Sequence, residues 1–97
     1  MGKKLLYEKL RNEEEGIWVS EYSRTRWEDY LPNDIEKVVS TWNILPEDHG
    51  ASEGIEIYYS AQKNEFYLRS WRHQCANNTG YSLRVIEKEE AINLIIE

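Results

Sequence analysis

Residues 54–86 constrain this chain most. They hold three runs, GIEIYYS, FYLRSWRHQ and GYSLRVI, each alternating apolar with polar side chains and separated by short polar segments. Alternation with period two puts successive side chains on opposite faces, so the stretch predicts three antiparallel strands. A turn at Lys63-Asn64, where Asn tolerates a positive φ, pairs Gln62 with Glu65 and sets Tyr59 opposite Leu68. Ile55, Ile57, Tyr59, Phe66 and Leu68 then share one apolar face. A second turn over residues 76–79 pairs Cys75 with Gly80 and Trp71 with Arg84, and adds Tyr81, Leu83 and Val85 to that apolar face. The opposite face collects Tyr58, Tyr67, Arg69, Trp71, His73 and Arg84.

Three readings of that second face stand side by side. It is solvated sheet, in which each cross-strand pair contributes a few tenths to about 1 kcal/mol. It is core, covered by the N-terminal segment, as most aromatic stripes are. Or it is a contact surface, since Tyr, Trp and Arg dominate binding hot spots.

The flanking segments complete the expectation. Residues 3–11 lean to a strand. Glu13, Glu14 and Glu15 then form a loop tip before a clear strand from Gly16, in which Ile17 and Val19 alternate with Trp18, Ser20 and Tyr22. Asn33, with Glu36 three residues on, reads as a helix cap. Ile35, Val38, Val39 and Trp42 follow at i, i+3, i+4 and i+7, and Pro46 closes the segment. Residues 46–54 read as a loop and residues 86–96 as a C-terminal helix, with Glu87, Glu89 and Glu90 at its positive end. The expected fold is α+β: one antiparallel sheet, elements in the order β-β-α-β-β-β-α, and both helices on one face. The 97 residues fit a single compact domain, 1–97.

Chemistry is sparse. Cys75 is the sole cysteine, so no internal disulfide forms, and a reducing, cytoplasmic setting is the economical expectation. His49 beside Asp48, and distant His73, show no metal-ligand spacing and no triad pattern. No cofactor motif, metal site, catalytic residue, secretory leader or membrane span is read here. Net charge is −6. Residues 63–84 carry four basic groups against one acidic, and the remainder eight against seventeen.

An acidic surface suits a protein partner with a basic surface better than nucleic acid. The reading is therefore a small binding or inhibitor protein, not an enzyme, that works by occluding its partner through Tyr58, Tyr67, Arg69, Trp71, His73 and Arg84 and through Glu13, Glu14 and Glu15. Immunity proteins and inhibitors of defence nucleases share this physique, a likeness of class and not of sequence. The alternative is single-stranded nucleic-acid or nucleotide binding by Arg24, Arg26, Arg69, Trp71, Arg72 and Arg84. A homodimer through the apolar C-terminal end, LIIE, is also compatible.

Overall fold

The computed structural model describes residues 3–45, 51–73 and 80–96. The elements are α1 (Lys3–Asn12), β1 (Ile17–Ser20), a short 3-10 turn (Trp27–Tyr30), β2 (Glu36–Leu45), β3 (Ala51–Ser60), β4 (Glu65–His73), β5 (Gly80–Ile86) and α2 (Lys88–Ile96). The five strands form one sheet in the order β1-β5-β4-β3-β2, every pair antiparallel. The α+β class and the antiparallel ribbon of residues 54–86 are as expected.

Two elements differ from expectation. Residues 3–12 form a helix, because Leu6, Tyr7 and Leu10 make a one-sided stripe that is buried on the sheet. Residues 36–45 form the edge strand β2. The segment EKVVSTWNIL is rich in β-branched and aromatic residues, and its helical stripe is a coincidence of spacing. A register shift between Lys37 and Val39 inserts Val38 as an extra residue, which breaks the alternation that would have marked a strand. Asn33 therefore caps no helix, and the next residue, Asp34, has a different role. Its carboxylate accepts the Ser60 hydroxyl at 2.6 Å and the Gln62 N–H at 2.9 Å, tying the approach to β2 onto the β3–β4 turn.

The β3–β4 turn spans residues 61–64, with Asn64 at φ 53°, so Ser60 faces Glu65 and Tyr58 faces Tyr67. That is a shift of two from the expected register, and an even shift leaves each side chain on its face. The β4–β5 register is offset by three, and an odd offset reverses the faces. Trp71 pairs with Tyr81 and Arg69 with Leu83, so Tyr81, Leu83 and Val85 join Tyr58 and Tyr67, whereas Arg84 lies opposite Leu68. The expected turn at residues 76–79, Cys75, and the Asp48-His49 pair lie outside the described residues.

The helices take opposite faces, not one. Tyr7 and Leu10 of α1, with Leu31 and the partly buried Trp27 and Tyr30, close over Val19, Tyr58, Tyr67 and Leu83. On the other face, Ala91 and Leu94 of α2 pack with Ile57, Phe66, Leu68 and Ile86. Ile86 and Ala91 flank Glu87, whose carbonyl accepts the Ala91 N–H at 3.0 Å, so the chain leaves β5 and folds straight back on the sheet.

Candidate functional site

Three of the nine residues nominated from the sequence, Tyr58, Tyr67 and Arg69, are placed in the layer beneath α1. Tyr67 is fully buried and Tyr58 nearly so. Tyr67 donates to Glu65 at 3.1 Å, and Glu65 also accepts from Tyr7 and from Arg11. Burial pushes the Tyr67 hydroxyl above its ordinary pKa, as do its bond with Tyr7 and the Glu65 charge. The contact-surface reading of this pair is thereby corrected: the N-terminal segment covers the face, since two tyrosine rings side by side are too large an apolar area to leave in water.

Arg69 lies in the same layer. Its guanidinium sits 4.4 Å from the Trp27 ring centroid and 4.1 Å from that of Tyr81, and it forms an ion pair with Glu56. Glu56 also accepts Lys37 Nζ at 2.9 Å and the Tyr58 hydroxyl at 3.2 Å. Burial raises the Glu56 pKa, but the Lys37 hydrogen bond and the Arg69 and Lys37 charges outweigh it, and the carboxyl ends below its usual range. Burial first, then Glu56, pushes Tyr58 up to about 12. The charges of this cluster are paired with one another inside the fold, while Arg69 Nε is buried without a hydrogen-bond partner.

The remaining nominees scatter. Trp71 is half-buried, its ring against Gly54. His73 is exposed at the end of β4. Arg84 lies on the α2 face, 2.6 Å from Glu90. Glu13, Glu14 and Glu15 are exposed in the turn between α1 and β1, which Gly16 closes at φ 86° against the backbone of Leu83. The arginines of the nucleic-acid alternative do not converge: Arg69 is largely enclosed beneath α1 and paired with Glu56, Arg84 is on the other face, and Arg26 bonds Glu28 at 2.8 Å.

What the sequence did not single out is the uncovered half of the α2 face. Helix α2 spans nine residues and shelters only the end of the sheet holding Ile57, Phe66, Leu68 and Ile86. Beyond it the face continues as Trp18, Ser82, Ser70, Ile55 and Thr41, aligned across all five strands, and then as Ser20, Gly80, Arg72, Glu53 and Asn43. A trough of about 370 Å³ runs here, lined by Trp18, Glu53, Ser70, Arg72, Gly80 and Ser82 and by one nominated residue, Trp71. Trp18 rests on the backbone of Gly80, yet 64% of the residue is open to solvent. Alternation along β1 separates Trp18 from Ile17 and Val19, but an exposed indole and a core indole look alike in a sequence.

Among the described residues no group of three His, Cys, Asp or Glu side chains is arranged to hold a metal, and no helix is long and apolar enough to cross a membrane. Comparison with protein-family models, curated proteins and solved structures gives no significant match.

Proposed function

We propose that the chain is a small binding protein that occludes a protein partner, with the uncovered half of the α2 face as its docking surface and Trp18 as the anchor. One observation carries this: a large indole, 64% exposed, is held on a glycine backbone at the edge of an open trough. Covering that much indole is worth on the order of 3–4 kcal/mol by area, which is the scale of a hot-spot residue. The trough supplies polar groups from Ser70, Ser82, Glu53 and Arg72 for orientation.

Charge selects the class of partner. Glu13, Glu14 and Glu15 precede β1 by a few residues, and Glu87 and Glu89 are exposed at the start of α2 on the same face as Trp18. With a net charge of −6, this rim favours a basic protein surface and speeds encounter with it.

The test is a photo-cross-linking residue at position 18 in cells that produce the protein, followed by titration of the purified adduct partner. Trp18→Ala is expected to weaken binding roughly 30-fold or more. Replacing Glu13, Glu14 and Glu15 by Gln is expected to slow association and reduce its salt dependence. Affinity unchanged by Trp18→Ala would dismiss this surface. Quenching of Trp18 by a short oligonucleotide at low salt would return the nucleic-acid alternative.

A further inference from the structure

We infer that the outer edge of β2 pairs with the same edge of a second copy of this chain, joining two five-stranded sheets through a two-fold antiparallel contact. Among the described residues β2 is the last strand of the sheet and has β3 on one side only, so its outward backbone N–H and C=O groups face away from the sheet. Residues 39–45 run in unbroken register with β3, from Val39 opposite Ile57 to Leu45 opposite Ala51, which leaves a straight template on the other side.

The composition of this edge is the unusual feature. Proteins guard free edges with charge, proline, a bulge or brevity. Residues 38–45, VVSTWNIL, contain no charged residue, no Pro and no Gly, in a chain that is 31% charged. Val38 is 45% exposed and Trp42 is 63% exposed, and Ser40, Thr41 and Asn43 are exposed as well. The one irregularity, the register shift between Lys37 and Val39, ends the free stretch and does not interrupt it. The opposite edge is treated differently: β1 has four residues and follows a turn bearing Glu13, Glu14 and Glu15.

A second copy fits this edge better than an extended segment of another protein. The edge offers no charge with which to choose a partner and none to repel its own image. Each chain carries −6, and an uncharged seam lets two copies meet there without like charges across it. A two-fold centred on Trp42 sets the two indoles opposite each other and Thr41 opposite Asn43. A seven-residue strand pair is a small interface, so the association belongs in the micromolar range.

Sedimentation of the whole protein from about 1 to 500 μM tests this independently of any partner. The 11.6-kDa species is expected to double in mass across that range. Thr41→Lys and Asn43→Lys bring like charges together on the seam and are expected to weaken dimerisation at least tenfold, with unchanged circular dichroism. In a Cys75→Ser background, Trp42→Cys is expected to form an intermolecular disulfide, and Glu36→Cys is not. A monomer at every concentration, or a dimer indifferent to both lysines, overturns the inference. So does equal cross-linking at both positions. Trp18→Ala lies on the opposite edge strand and is expected to leave the dimer unchanged, which separates this contact from the docking surface.

Discussion

The indole of Trp18 on β1 lies directly over Gly80 on β5, so close that a methyl group on Gly80 would overlap the ring. The ring is free to swing away, because its other side faces solvent. Gly80→Ala is therefore expected to displace the platform while costing the fold under about 1 kcal/mol. Far-ultraviolet circular dichroism stays unchanged, the Trp emission shifts, and partner affinity falls about as far as in Trp18→Ala. A wild-type affinity in Gly80→Ala would show that the orientation of the ring contributes nothing to recognition.

Tyr58 and Tyr67 face one another across β3 and β4 beneath α1, which makes them packing residues. Tyr67→Ala is expected to cost about 3–5 kcal/mol by opening a cavity. Tyr67→Phe removes only the hydroxyl bonded to Glu65 and is expected to cost about 1 kcal/mol. Urea unfolding distinguishes the two. A Tyr67→Ala protein as stable as Tyr67→Phe would place this ring outside the core.

The sheet was legible from residues 54–86 because alternation survives an even error in register. Ile57 and Leu68 stay together, and so do Tyr58 and Tyr67, although the β3–β4 pairing sits two residues from the expected one. The β4–β5 pairing was not legible in the same way. Leu83 and Val85 look like partners for Ile57 when the Tyr58–Tyr67 face is taken as polar, and they belong with the tyrosines once α1 covers that face. Both errors share one cause: a sequence shows that a face is aromatic without showing what lies on it. β2 was hidden by Val38, since one extra residue turns a period-two pattern into an accidental helical stripe. Trp18 was correctly separated from Ile17 and Val19, but its exposure depends on the shortness of α2, a property of packing and not of β1.

Glu56 and Arg69 form an ion pair that is nearly closed to solvent, with Lys37 at its rim. Removing one partner leaves the other charged and buried, so Glu56→Ala is expected to cost about 3–5 kcal/mol. Lys37 is half exposed, and Lys37→Ala is expected to cost under about 1 kcal/mol. Replacing Glu56 and Arg69 together by Leu and Met is expected to recover a good part of the Glu56→Ala loss, because no lone charge then remains inside. A double variant less stable than the sum of its single changes would contradict this account.

Glu56 and Tyr58 of this cluster, together with Asp34 outside it, shape the response to pH at both ends. The Glu56 and Asp34 carboxyls are held below their ordinary values of 4.5 and 3.8, Asp34 chiefly by the Ser60 hydroxyl and the Gln62 N–H. Both bind protons more readily when the chain is unfolded, so their contribution is full above those values and is lost as pH falls through the folded ones. Tyr58 runs the other way. Its pKa rises from 10.0 to about 12, so the folded protein resists its ionisation. That contribution is full below pH 10 and disappears as pH climbs toward 12. Urea midpoints measured across pH should therefore fall off on both sides of a plateau. Glu56→Gln, though less stable throughout, is expected to make the acid limb shallower with Asp34 sustaining the rest, and Tyr58→Phe the alkaline limb shallower with Tyr67 sustaining the rest. An alkaline limb equally steep in Tyr58→Phe would mean that other groups, not this buried hydroxyl, unfold the protein at high pH.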